Sequence, residues 1–393
     1  MIGYIMSEGA KANIGSYATS TSGMLAAMDA GTATYNTSLT TTYTSGGGGI
    51  GGSAPASNLG YSTVAPTPSS SVSVDLSAGP STQLAVAANA GFTVTASNGV
   101  NALTLNLTDS SGTSDVVNLA IVSATTTGLT VGRITAAGVE TLNVSSGGSL
   151  SGGGAGNALN LDPVLDVFRT VAIYGAQPIY VDTGAYGVSV TLNGGGATGE
   201  LQLRADSVTN VAVGSTMAGG IKNDTLWPVT LAGAGGINQS LYGGGGGDLF
   251  NLGAAHTESN ILVYKSANDS QYDVTGTAGA SGTSTPNTGR MDTVNNFVSG
   301  RDKVDISAFG LSSGQAQVVT RTAADTTALA TLAATPTFYQ DVFSIARGVV
   351  AARVAADTFL YIDTNKNGFF DSGADLVIKL VGLAAFTSVD IIK

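Results

Sequence analysis

The chain has 393 residues, a formal net charge of −11 and only 10% charged residues, against roughly 25% in an ordinary soluble domain. It holds one histidine, His256, and no cysteine, which excludes disulfides, thiolate metal sites, cysteine nucleophiles and any mechanism using two imidazoles. The acidic balance argues against nucleic acid or anionic lipid as a partner.

Residues 1–72 are a low-complexity arm of Ser, Thr, Gly and Ala, read as an anchor or assembly segment, either disordered or ordered only against a neighbour. Its start, Met1 to Glu8, lacks the basic residues and the 7–15-residue apolar run of a secretory signal. No stretch of the chain approaches the ~20 apolar residues of a membrane span. Composition nevertheless looks extracellular, and C-terminal type I secretion is one route open to a protein exported without such a signal.

From residue 73 the pattern alternates. Val72-Ser73-Val74-Asp75-Leu76, Phe92 to Ala96 and Leu103 to Thr108 place apolar residues two apart, the period of strands with one buried face. Residues 73–155 read as a strand domain, sandwich-like in the leading reading, with a barrel or a solenoid as the other architectures such spacing allows. Over 156–310 the strands shorten and keep polar outward positions, as in a β-solenoid whose rungs bury one face against the next; an antiparallel sandwich stays open as the alternative. Residues 311–393 read as a C-terminal β domain with a calcium loop, a hairpin cap and the secretion signal. The expected class is all-β.

Two motifs point to Ca²⁺. Gly243-Gly244-Gly245-Gly246-Gly247-Asp248-Leu249-Phe250-Asn251 fits the nonapeptide G-G-x-G-x-D-x-U-x, with Gly243, Gly244, Gly246 and Asp248 at fixed positions. Its glycines permit the tight turn, its Asp supplies charge and its bulky apolar residue enters the core. Gly219 to Trp227 matches except for Lys222 at the third glycine, and 233–241 is a decayed copy without the carboxylate. Because successive turns alternate sides, the first and third copies share one, which places Asp224 and Asp248 about one ion. The insertion 228–232 threatens that register. Ordinary Gly/Asp turns without an ion are the other reading.

The second motif starts at Asp363. Asp363, Asn365, Asn367 and Asp371 occupy positions 1, 3, 5 and 9 of an EF-hand-type loop, with Gly368 at position 6 and the carbonyl of Phe369 at position 7. Ala374 stands where the closing Glu belongs, so Asp375 is the candidate closing ligand. The flanks read as strands, giving a calcium loop on a β-hairpin; an Asn/Gly turn is the alternative.

Residues 220–393 resemble the end of RTX proteins, through Gly243 to Asn251, Leu262 to Ser266 and Met291 to Phe309, which includes Gly300-Arg301-Asp302-Lys303-Val304-Asp305-Ile306-Ser307. Val139 to Val144 resembles the VETLNV strands of RTX-type surface-layer proteins of Gram-negative bacteria. The resemblance implies a calcium-dependent, type I-secreted protein that assembles on the cell exterior. It departs from many relatives in having one intact nonapeptide.

The expected function is therefore a secreted structural subunit of a surface layer or filament, a homo-oligomer with cell-surface polysaccharide as a further candidate partner. A calcium-stabilised adhesin or glycan-binding module is the alternative. An enzyme is not expected: one His cannot supply H-E-x-x-H. Sixteen of the 26 acids follow residue 200, so calcium outside the cell would offset their repulsion and drive folding after export.

Overall fold

Short alternating apolar segments become two long sheets in the computed structural model, which describes residues 70–77, 81–150, 156–161, 168–184, 190–205, 215–230, 238–271, 290–321, 348–368 and 373–393. All of them belong to the unit Pro55–Lys393. Apart from 70–72, the arm expected over 1–72 lies outside the described residues, as do Phe369 and Asp371.

The strands in chain order begin with β1 (Ser70–Leu76), β2 (Thr82–Val86), β3 (Ala90–Ser97), β4 (Ala102–Leu107), β5 (Val116–Ser123) and β6 (Thr130–Ala137). Next come β7 (Thr141–Gly148), β8 (Asn157–Leu161), β9 (Thr170–Gly175), β10 (Ile179–Asp182), β11 (Thr191–Ala197) and β12 (Leu201–Arg204). They continue with β13 (Thr216–Ala218), β14 (Thr225–Trp227), β15 (Asn238–Tyr242), β16 (Leu249–Asn251), β17 (Ser259–Val263) and β18 (Asp292–Asn295). The last are β19 (Lys303–Asp305), β20 (Val318–Arg321), β21 (Val349–Val354), β22 (Asp357–Ile362), β23 (Leu376–Val381) and β24 (Ile391–Ile392).

The odd strands β1 to β19, followed by β24, form the first sheet; the even strands β2 to β18, followed by β23-β22-β21-β20, form the second. From β1 to β19 the chain thus crosses from sheet to sheet with every strand, and each strand up to β17 pairs in parallel with the strand two places on. This is a parallel β-solenoid, nearly all β. Among the described residues the only helical turns are short 3-10 turns, as at Ala267–Asp269 and Ser388–Asp390. The C-terminal segment closes the coil. There β21, β22 and β23 are antiparallel, β23 adds in parallel to β18, and β24 adds to β19.

The sandwich read over 73–155 is corrected by these pairings. Its strands are parallel and continue into the solenoid, with β7 pairing β9 and β6 pairing β8 across the expected boundary at 155. Likewise β18–β23 and β19–β24 bridge the expected boundary at 310. The physical reason is that a two-residue period reports which face is buried, and both pairing directions satisfy it equally.

Register converts the alternation into columns. In the first sheet Val117, Leu142, Val171, Leu192, Met217, Leu241, Leu262, Val304 and Ile391 lie on successive rungs. In the second, Val131, Leu159, Val181, Leu203, Leu226, Phe250, Val294 and Leu380 do the same. Every one of these side chains is buried, and burying each stabilises the coil by roughly 1.5–3 kcal/mol. A rung owes its stability to the rungs beside it, which is why three-residue strands such as β14 and β16 persist.

Candidate metal centre

Two residues before each member of the second column, on the same inward side, runs Leu129, Asn157, Ile179, Leu201, Asp224, Asp248, Asp292 and Ile378. Three carboxylates therefore sit where apolar residues stand on neighbouring rungs. Asp224 and Asp248 are 1% exposed and Asp292 is fully buried.

Each carboxylate caps the rung before it. Leu201 N–H donates to Asp224 Oδ1 at 2.7 Å, Asp224 N–H to Asp248 Oδ1 at 2.8 Å, and Asp248 N–H to Asp292 Oδ1 at 2.7 Å. Asn157 makes the same bond upstream, accepting Leu129 N–H at 2.9 Å. At the other end Asp292 N–H donates to Ser270 Oγ at 2.8 Å, and Ser270 Oγ–H donates to the Val377 carbonyl in the C-terminal cap.

The second carboxylate oxygens differ. Asp224 Oδ2 accepts Gly220 N–H, whereas Asp248 Oδ2 and Asp292 Oδ2 are buried without a hydrogen-bond partner. The buried Tyr264 hydroxyl lies beside Asp292 and favours its charged form, without reaching full hydrogen-bond geometry. Burial is the main cause that pushes the Asp224 carboxyl up to about 8, with Glu200 adding to it. Burial first, then the neighbouring Asp292 and Asp224 charges, pushes Asp248 well above the carboxylate range. Asp292 is raised in the same direction, chiefly by burial, with Asp269 and Asp224 adding to it. Such groups are stable only when protonated or when a cation neutralises them.

The nonapeptide spacing puts Asp224 and Asp248 on one side of the coil, and β14 and β16 are neighbours in the second sheet while β15 lies in the first. The insertion 228–232 leaves that register intact. The unsatisfied oxygens, however, belong to Asp248 and Asp292. Asp292 carries no ligand signal in the sequence, because it stands 44 residues after Asp248 and belongs to no nonapeptide; its place as the first residue of a strand in the column is visible only through register.

The glycine turn 243–247 stacks on the turn 219–223, with Gly245 N–H donating to the Gly220 carbonyl at 3.0 Å and Gly247 N–H to Asn223 Oδ1 at 2.9 Å. Gly243 is indispensable on packing grounds: a Cβ there would fall 2.1 Å from Asp248 Oδ2. Gly244, at φ +93°, has a left-handed conformation and leaves only 2.0 Å between such a Cβ and the Gly220 carbonyl. Gly246, at φ +130°, abuts the Lys222 carbonyl.

The second candidate loop joins antiparallel β22 and β23. Asp363 is 2% exposed; its Oδ1 accepts Asn367 N–H at 3.2 Å and its Oδ2 accepts Gly368 N–H at 2.9 Å. Asn365 Oδ1 also accepts Asn367 N–H, at 3.0 Å. Asp375 Oδ1 accepts Thr364 N–H at 2.9 Å, bringing Asp363 and Asp375 to the two ends of the hairpin. The loop is thus a nest of side-chain-to-backbone turns. Among the described residues no three His, Asp or Glu side chains converge closely enough to hold a metal by themselves, so a cation at either place would need backbone carbonyl oxygens as well.

Residues 1–49 match the family model of the RsaA N-terminal domain. That is a surface-layer family, and the match, joined to a β-solenoid, fits a structural surface-layer subunit. The segment that composition sets apart as an arm is the one that carries this likeness. No curated protein matches the chain. No helix among the described residues is long and apolar enough to cross a membrane.

Proposed function

We propose that the chain is a non-enzymatic, calcium-dependent subunit of a self-assembling surface layer or filament on the exterior of a Gram-negative cell, exported by type I secretion. The observation that carries the assembly reading is the RsaA N-terminal domain match over residues 1–49 in a chain whose described strands form a solenoid. A solenoid suits that task because its lateral faces are long and regular and it carries few charges.

The calcium reading is supported by the buried, unpaired Oδ2 atoms of Asp248 and Asp292. Oxygen ligands are what Ca²⁺ takes, and a cation there would relieve the repulsion between carboxylates on adjacent rungs. Asp248 and Asp292 would supply the charge and the stacked glycine turns the neutral oxygens. Asp363 and Asp375 would do the same in the hairpin loop. Type I export rests on the resemblance of residues 220–393 to RTX tails.

Electron microscopy of the purified protein tests this reading. Sheets or filaments should form in millimolar calcium and dissolve in EGTA. A monomer peak unchanged by calcium in size-exclusion chromatography would defeat it.

A further inference from the structure

The inward corner of the first sheet also carries a polar column, on Ser215, Gln239, Asn260 and Asp302. Ser215 Oγ–H donates to Gln239 Oε1 at 2.7 Å, Gln239 Nε2–H to Asn260 Oδ1 at 3.2 Å, and Asn260 Nδ2–H to Asp302 Oδ1 at 3.1 Å. This ladder ends on a fully buried carboxylate that also accepts N–H groups from Asn260 at 2.9 Å and Val298 at 2.7 Å. A fully buried carboxylate that accepts this many N–H groups calls for a positive neighbour.

His256 supplies it. Its side chain is fully buried, with Nε2 3.0 Å from Asp302 Oδ2 and Nδ1 2.5 Å from the Gly253 carbonyl. Both neighbours are acceptors, so both ring nitrogens must carry protons; a neutral imidazole would set a lone pair against one of them. The other charged groups facing this corner are Glu258, on the same connection and fully buried, and Arg301, whose Nη1 donates to the His256 carbonyl.

The corner held by this pair seats the end of the chain. Gly300 N–H and Ser299 Oγ–H donate to Asp390 at 2.6 and 2.8 Å, and Lys303 Nζ donates to the Val389 carbonyl at 2.7 Å. Asp390 immediately precedes β24, the terminal strand of the first sheet.

We propose that His256 is a proton-operated latch: doubly protonated, it closes the polar ladder and holds the 298–302 corner on which β24 is seated, and loss of its proton loosens both. Burial opposes the charged ring, but Asp302, the Gly253 carbonyl and Glu258 outweigh it and raise the pKa above 6.5. The stability that the charged ring contributes is therefore complete below pH 6.5 and is lost as pH rises through the higher folded value.

His256 is the sole histidine, so ¹³C-histidine labelling of the full chain gives one imidazole signal, whose titration at fixed calcium reads the ring directly. The expected midpoint lies above 6.5. Hydrogen exchange of peptides covering 298–302 and 387–392 should accelerate, relative to His256→Gln, by up to about tenfold per pH unit above that midpoint. A midpoint at or below 6.5, or a titrating ring with the same exchange ratio to His256→Gln at every pH, overturns the latch.

Discussion

Asp224 and Asp248 stand on adjacent rungs of the second sheet, and the backbone N–H of the first donates to Oδ1 of the second at 2.8 Å. A residue that sequence would assign to an ion is thus also a structural cap. The two roles separate by oxygen atom, because Asp248 Oδ1 is occupied by the backbone while Oδ2 has no partner.

Asp248→Asn should keep the acceptor for Asp224 N–H while removing the charge. In EGTA its melting temperature should equal or exceed the parent's, and the increase on adding calcium should shrink. Asp248→Ala also strands the Asp224 N–H and should cost about 1–3 kcal/mol without calcium. If neither Asp248→Ala nor Asp363→Ala blunts the calcium-induced rise, the metal assignments are wrong.

Stability in EGTA should fall as pH increases. Asp224, raised in the fold to about 8 from 3.8, retains a proton that the unfolded chain releases near pH 3.8. Its contribution is complete below that value and is lost as pH climbs towards 8. Asp248 and Asp292 shift the same way. Urea midpoints measured from pH 4 to 8 should decline in EGTA and flatten in calcium; parallel curves would refute the linkage.

Gly243→Ala should destabilise the coil by about 1–3 kcal/mol through overpacking, since its Cβ would collide with Asp248 Oδ2. Gly300→Ala offers the contrast. Gly300 has φ +85° with nothing within 4 Å, so backbone strain alone should cost about 1–2 kcal/mol. Chemical denaturation in EGTA measures both, and only Gly243→Ala should also lose calcium stabilisation.

Asp363→Ala removes the acceptor of Asn367 and Gly368 N–H groups and should destabilise the hairpin by about 1–3 kcal/mol. Hydrogen exchange should rise in β22 and β23 while the strands before β17 stay protected. Uniform loss of protection would mean that the cap and the coil unfold as one unit.

Leu241→Ala, in the middle of the first-sheet column and fully buried, should cost about 2–5 kcal/mol. Both neighbouring rungs lose contacts at once, so exchange should increase on β13 and β17 as well as β15.

The sequence by itself determined that the class is all-β beyond the low-complexity arm, where several strands lie, and that Asp224 and Asp248 recur on one side. Two-residue alternation and glycine turns are local properties, legible without knowing any partner. Strand direction and rung register were decided only by the tertiary structure. Asn143 pairs with Asn118, and Asp292 continues Asp248 across 44 residues, because stacking, not sequence distance, selects neighbours. For the same reason His256 read as an isolated residue, although the fold sets it against Asp302. A buried ion pair is made by two remote corners meeting, and neither corner alone carries its signal.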